Sequence, residues 1–409
     1  MKRVGVHITA LSPLCFSERR AGAQFRPSVG YIPGAALRGA VAGALLRAAG
    51  ADAPIFRRIF GISEPPAALF RNAYPALRVL PQTALSCKDQ PGFGRTPAHH
   101  GVFDSLIDLL CCEQLRPPGL LYLPRCQHAE GESACNSRVE AFGGFYDSKD
   151  TRHESRVVPQ RLLTRVAINR RRMVAEDELL YSPMVLTEAW WTDARTSACA
   201  QFRSSVWVEN DIAEEVTRLL ADVQHVGSGS ARGLGQVKVR VDQADADADT
   251  MTSHEALDSR VNRFNRALAE RWELMRKLLD GEAPVCPQLF TVNLRADAVL
   301  KEHGWLPTTT LSSALLREAT GVHDSSLALV RSFASPTPRG GWNSGQGLPK
   351  PTELATRMGS VFVFRTQHIA RWADALVDLE ARGVGERTAE GLGEVTICDD
   401  FHVEGRAPQ

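Results

Sequence analysis

Apolar and polar positions alternate from the start of the chain. Val4, Val6 and Ile8 share one face of residues 4–16, which predicts a strand. A glycine-bearing stretch leads to Gly34–Ala49, a small-residue run whose slim profile predicts a helix packed close to a sheet. Its first turn offers free N–H groups and carries Arg38, an arrangement equally suited to an anion. Residues 103–115, FDSLIDLLCCEQL, read as an apolar helix with Cys111 and Cys112 in its core face. Asp211–Val223 is amphipathic, with Ile212, Val216, Leu219, Leu220 and Val223 on one side. Thr252–Glu255 fits a capping box, and the helix after it carries Leu257, Val261, Phe264, Leu268, Trp272, Met275 and Leu279 at helical spacing. Gln288–Leu294 and Met358–Arg365 read as strands, and Ile369–Glu380 as a helix. Strands and helices mixed in this way predict an α+β fold.

Two glycine-rich loops punctuate that pattern. Val226–Val241, VGSGSARGLGQVKVRV, sets Gly227, Gly229, Gly233 and Gly235 around Arg232 and runs into an alternating strand. Arg382–Ile397, RGVGERTAEGLGEVTI, repeats the design with Gly383, Gly385, Gly391 and Gly393 around Arg387. Both read G-x-G, a short insert with an arginine, then G-L-G-x-V. The inserts are three residues in the first copy and five in the second. Glycine lets another backbone or a ligand lie directly on the main chain. Two copies, each near the end of a half of the chain, point to an internal duplication. Neither copy fits a phosphate-loop template: there is no G-K-S/T, and each precedes a strand where a dinucleotide fingerprint opens a helix.

Length and composition narrow the function classes. The 409 residues are enough for two or three domains, and 44% hydrophobic with 23% charged content is ordinary for a globular protein. The net charge is +1, so any nucleic-acid role needs a local basic surface. Only seven of the 48 basic residues are lysine, a bias that either a GC-rich genome or forked recognition of phosphate would produce. No signal peptide or membrane-length apolar stretch is visible, which leads to the expectation of a cytoplasmic protein without a membrane partner. In a reducing compartment, clustered cysteines mean metal more often than disulfide. Residues 80–146 hold Cys87, Cys111, Cys112, Cys126 and Cys135 with His99, His100 and His128 among them. The expected ligand set is Cys87, His100, Cys126 and Cys135, with His99 or His128 as substitutes. The expected ion is a structural zinc holding together a segment with little core of its own.

Charge is clustered despite the near-zero sum. Residues 151–185 carry Arg152, Arg156, Arg161, Arg165, Arg170, Arg171 and Arg172, with Thr164–Asn169 alternating like a strand, so a basic hairpin facing nucleic acid is expected. Tyr181, Trp190 and Trp191 either stack on bases or belong to the core. Asp242–Asp249, DQADADAD, reads as a solvated linker. Residues 331–349, rich in glycine and proline around Arg339 and Trp342, are either a plain surface loop or an RNA-facing one.

The phrase YIPGAALRGA (31–40) together with GSGSARGLGQV (227–237) resembles the RAMP superfamily of CRISPR-associated RNA-binding proteins. The length, the paired loops and the phrases at residues 85–88, 100–104, 144–146 and 383–391 resemble its two-module type III-D member, the Csx-ten family. Relatives in that family often carry a tight C-x-x-C where this chain separates Cys126 from Cys135 by nine positions. The resemblance implies two ferredoxin-like (RRM-like) RAMP modules, with a cysteine-containing insertion in the first. The expected domains are residues 1–241 for the first module, 242–252 for the acidic linker, and 253–403 for a helix plus the second module. Within the first module, residues 80–146 form the insertion and 151–185 a basic hairpin or thumb. The implied function is an RNA-binding ribonucleoprotein subunit in antiviral defence. It grips the repeat-derived end of a guide RNA, packs against other effector subunits and meets target RNA indirectly. The expected RNA-binding residues are Arg38, Arg165, Arg170, Arg171, Gly227, Gly229, Arg232, Gly233, Gly235, Gly385, Arg387, Gly391 and Gly393. The competing reading is a RAMP endoribonuclease. The first helix lacks a histidine for that chemistry, which leaves His225 and the aspartates Asp104, Asp147 and Asp150 as candidates.

Overall fold

The computed structural model describes residues 1–16, 25–26, 28–61, 66–96, 98–116, 121–130, 133–149, 152–191, 196–242, 253–279, 284–343 and 345–406. It is an α+β protein built around two four-stranded antiparallel sheets. In the first sheet the order is Val237–Asp242, Lys2–Ala10, Gln201–Val208, Ala68–Phe70. Numbered along the chain, that order is 4-1-3-2. One helix, Gly34–Ala49, follows the first strand, and another, Ala213–Ala221, follows the third. The second sheet repeats the order with Val395–Ile397, Leu289–Leu294, Val361–Arg365 and Ala328–Phe333. Its helices Ser313–Thr320 and Ala373–Arg382 occupy the same places in the chain order.

The period-2 pattern of the opening strand holds: Val4, Val6, Ile8 and Ala10 face the first core. Pro33 precedes the first helix with φ −62°, and Leu37, Val41 and Leu45 form its buried stripe at spacing four. Val216, Leu219 and Leu220 close the same core from the second helix. The long helix His254–Arg276 is capped by Ser253, whose hydroxyl accepts from the Ala256 amide at 3.2 Å. The cap is therefore one residue beyond Thr252, where the sequence pattern set it; Thr252 lies outside the described residues, as does residues 243–252 of the acidic segment.

Between the second and third strands of the first sheet the chain makes a long excursion, residues 71–200. Its helix Leu106–Leu115 leaves the first core altogether. Leu106, Ile107, Leu110, Cys111 and Cys112 join the second core beside Phe264, Leu268 and Trp272 of the long helix. Asp108 pairs with Arg271 there at 2.6 Å. A smaller cluster of Leu80, Ala84, Val102, Tyr146 and Phe401 ties the excursion to the C-terminal turn.

The two sheets meet along a polar seam. The buried Arg71 donates to the carbonyls of Ala381 (2.6 Å) and Glu380 (3.2 Å) at the end of helix Ala373–Arg382, where the helix dipole favours a cation. Tyr74 donates to the Arg295 carbonyl at 2.8 Å. Arg339 engages Asp297 and reaches the Tyr31 hydroxyl at 3.2 Å, so this arginine of the 331–349 loop belongs to the seam. No helix among the described residues is long and apolar enough to cross a membrane.

Candidate nucleic-acid interface and metal centre

The two glycine loops share one hydrogen-bond frame. In the first, Val226 N–H donates to Gly235 O (2.8 Å), Ser228 N–H to Cys15 O (3.0 Å) and Gly235 N–H to Pro13 O (2.9 Å). In the second, Val384 N–H donates to Gly393 O (2.8 Å), Glu386 N–H to Val299 O (2.9 Å) and Gly393 N–H to Asp297 O (2.8 Å). The correspondence is gapless: residues 226–235 match 384–393 one for one. The apparent difference in insert length comes from matching Gly229 to Gly385; the backbone matches Gly227 to Gly385 and Gly229 to Arg387. Gly229 and Arg387 both take left-handed φ, +84° and +59°, and each opens a single 3-10 turn that a left-handed glycine closes. Arg232 therefore corresponds to Glu390, and the two loop arginines are not equivalent.

That exchange of charge separates the loops. Arg232 of the first is exposed. Its guanidinium lies 5.6 Å from the Tyr181 ring centre and donates to the Tyr181 hydroxyl at 3.2 Å. Arg165 donates to the Arg232 carbonyl at 2.8 Å, and Arg165 and Tyr181 are cross-strand partners in the hairpin of Arg165–Asn169 with Val174–Leu186. Arg165, Tyr181 and Arg232 thus form one cluster where the hairpin meets the loop. Arg170 and Arg171 are exposed at the hairpin tip, where Asn169 Oδ1 accepts from the Arg171 and Arg172 amides at 3.1 Å each. Gly227 and Gly233 are exposed, Gly229 is half-buried, and Gly235 is buried, where a Cβ would meet Val226 O at 2.4 Å.

The second loop is turned inward. Gly391 is buried against Asn72, whose amide donates to Gly391 O at 2.9 Å while its Oδ1 accepts from Gly34 N–H at 2.8 Å. A Cβ at Gly391 (φ +88°) would meet Asn72 Oδ1 at 2.7 Å and Phe70 O at 2.8 Å. Gly393 is buried too, while Gly385 is exposed. Arg387 pairs with Glu390 (2.8 Å) and Glu353 (3.1 Å), and Lys350 also pairs with Glu390 (2.5 Å). Burial opposes ionisation of Glu390, yet Arg387 and Lys350 outweigh it and hold its carboxyl below the usual range. Arg38 lies half-buried near Glu390, its guanidinium 5.0 Å from the Phe60 ring centre and within 3.4 Å of Ile59 O. Burial lowers its pKa more than Glu390 restores it.

The four sulfur and imidazole residues converge. The donor atoms of Cys87, His100, Cys126 and Cys135 all lie within 4.8 Å of one another, a group that could hold a metal ion. Cys87 and Cys135 Sγ are 3.9 Å apart, close to the ~3.8 Å expected between sulfurs bound tetrahedrally at 2.3 Å. Cys126 Sγ lies 3.4 Å from His100 Nδ1. Strand Ala84–Cys87, strand His99–His100 and the backbone pairing of Cys126 with Ser137 (2.9 Å) and Cys135 with His128 (2.8 Å) set these positions. The substitutes do other things: His99 Nδ1 faces Pro91 O at 2.8 Å, and His128 stacks on His100 with ring centres 4.1 Å apart. A soft set of three thiols and one imidazole suits zinc and leaves no open position for catalysis.

The remaining sequence candidates are dispersed. Asp104 is buried, accepts from Thr83 Oγ1 (2.5 Å) and Leu106 N–H (2.8 Å), and lies 3.2 Å from the buried His402 Nδ1. Asp147 accepts from Leu77 N–H at 3.1 Å and pairs with Arg156 at 3.3 Å. Asp150 and the Trp191 side chain lie outside the described residues, and Trp190 packs on the first core. His225 is exposed at the foot of the first loop.

No family model matches the chain, and no curated protein does. Solved structures do match. One is a chain of "Cryo-EM structure of the Type III-B Cmr-beta bound to cognate target RNA", 14% identical over 60% of this chain and 99% of that one, with a TM-score of 0.32. A chain of the same complex bound to cognate target RNA and AMPPnP is 10% identical over 88% of this chain and 86% of that one, with a TM-score of 0.36. A chain of its apo state is 14% identical over 59% and 97%, with a TM-score of 0.31. At these values the likeness carries no argument about function, which rests on the residues themselves.

Proposed function

We propose that this protein is an RNA-binding structural subunit of a type III CRISPR-Cas effector complex, the two-module RAMP subunit of the type III-D (Csx-ten) kind. In this reading it grips the repeat-derived end of a guide RNA and packs against neighbouring subunits in the cytoplasm. The single observation that carries it is the open cluster of Arg165, Tyr181 and Arg232. It sets two guanidinium groups and an aromatic ring where the hairpin meets a loop whose Gly227 and Gly233 are exposed. Splayed single-stranded RNA is read by such a combination of phosphate contacts and stacking. The strand order 4-1-3-2, found in both sheets, supports reading residues 1–241 and 253–403 as two ferredoxin-like modules joined by the 242–252 linker.

Within the expected RNA-binding set, Arg165, Arg170, Arg171, Arg232, Gly227 and Gly233 contact RNA, while Gly229 and Gly235 shape the loop. Gly391 seats the second loop on Asn72 of the first module, Gly385, Arg387 and Gly393 hold that loop's own frame, and Arg38 packs on Phe60 near Glu390. A structural zinc on Cys87, His100, Cys126 and Cys135 would fix the 80–146 insertion. Binding is favoured over cutting because Asp104 is committed to Thr83 and His402, and Asp147 to Arg156. The test is binding of labelled CRISPR-repeat RNA against scrambled RNA and duplex DNA, with and without chelator. Repeat RNA bound in preference and left intact is the expected result; discrete cleavage products or equal binding of duplex DNA would overturn it.

A further inference from the structure

The first sheet has one face on its core; on the opposite face Gly5, Ser205 and Leu69 are buried, and the rows beyond them at His7 and Thr9 are open at their edges. Register sets the open face row by row. His7 stands opposite Arg203 on one side and Arg240 on the other, and Thr9 stands between Gln201 and Lys238 in the same way. Arg203, Lys238 and Arg240 are all exposed. Arg203 and Arg240 are separated by two strand spacings, about 10 Å, and Lys238 precedes Arg240 by about 7 Å along the strand. Asp242 is the one acidic side chain on the open face of these three strands.

Several surface arginines elsewhere in this protein are neutralised, while others, Arg170 and Arg171 among them, have no carboxylate partner among the described residues. Arg58 pairs with Glu209 and Asp211, Arg161 with Glu188, Arg218 with Glu215 and Arg276 with Glu273. Arg203, Lys238 and Arg240 have no carboxylate partner among the described residues. A three-cation shelf in a chain of net charge +1 is therefore a local anion surface rather than an overall excess. Its position adds direction: the main chain passes from Gly235 of the open glycine loop to Lys238 in three residues, about 10 Å.

We propose that the open face of the first sheet, along Lys238, Arg240 and Arg203, carries the phosphate backbone of single-stranded RNA where it leaves the first glycine loop. This rests on the RNA-binding reading and extends the path beyond the Arg165–Arg232 cluster. The face holds phosphate through point charges and forks without reading bases, so it acts alike on every RNA sequence.

The test compares the intact protein with two variants, the triple Arg203→Gln/Lys238→Gln/Arg240→Gln and the double Arg165→Gln/Arg232→Gln. Each is titrated with labelled single-stranded repeat RNA and with a scrambled RNA over a salt series. The triple variant is expected to lose affinity for both RNAs by a similar factor, about ten-fold or more at low salt. Its salt slope should fall by about 2, at roughly 0.7 per phosphate contact on a single strand. Its Tm should be unchanged, because exposed side chains without an ion-pair partner contribute little to folding; a clear drop in Tm would assign the three residues a structural role and overturn the proposal. Affinity and slope retained in the triple variant while the double variant loses both would overturn the proposal and leave the RNA-binding reading standing. The same retention with loss of co-purifying subunits would assign the face to an acidic protein partner and equally overturn it. No effect in either variant would overturn both.

Discussion

Arg387 shows what one residue can conceal. In sequence it matches Arg232, each being the arginine between two glycine pairs. In space it replaces Gly229 in a left-handed conformation, and Glu390 stands where the first loop has Arg232. A non-glycine residue at positive φ stores about 1–3 kcal/mol, held here by the pairs to Glu390 and Glu353. Gly391→Ala should destabilise the protein by about 3 kcal/mol or more, since its Cβ has Asn72 and the Phe70 carbonyl in the way in addition to a φ of +88°. The same change at Gly233 (φ +74°), where a Cβ meets nothing within 4 Å, should cost only the conformational part. Denaturant midpoints compare the two, and equal losses would argue against the packed seam. The buried His402 supplies a pH signature. Burial alone would lower its pKa, but Asp104, then Asp399 and Asp400, more than restore it, and the net shift is upward from 6.5. The folded state therefore favours the protonated ring. Its contribution is full below about pH 6.5 and is lost as pH rises through the higher folded value, with a slope of at most ~1.4 kcal/mol per pH unit. His402→Gln should flatten the fall in stability as pH rises above 6.5; an unchanged profile would remove His402 as its source.

At the scale of elements, the sequence was most legible where one face meets one core. The strand at residues 2–10 and the helices at 213–221 and 254–276 follow their apolar period, and the strand at 361–365 is a short apolar run buried on both faces. The Cys87–His100–Cys126–Cys135 set was legible because soft ligands in a short span have few alternatives. The destination of helix Leu106–Leu115 was not. Its apolar face predicts burial but not against which partner, and it crosses to the second core. The seam was equally hidden, because Arg71, Asn72 and Asp297 carry no periodic signal and take their roles from residues far away in sequence. The insertion makes its own prediction. Purified protein should carry about one zinc per chain. Cys126→Ser should lose it and expose the 80–146 segment to protease, while Cys199→Ser, at an exposed site outside the cluster, should change neither. Metal analysis with limited proteolysis reads both, and a metal-free protein with the same protease pattern as the variant would count against a structural ion.

At the scale of the molecule, a duplicated architecture has been put to two uses. Both halves keep the sheet order and the loop hydrogen bonds. One loop is closed on the seam by Asn72 and neutralised by acidic partners; the other stays open and basic beside the hairpin. The most direct test of this division is the salt dependence of repeat-RNA binding in Arg232→Gln and Arg387→Gln, measured side by side with their Tm values. The account predicts that Arg232→Gln weakens binding and lowers the salt slope by about 0.7 with Tm unchanged, and that Arg387→Gln lowers Tm while keeping the slope. Equal loss of slope in both variants, or loss only in Arg387→Gln, would contradict it.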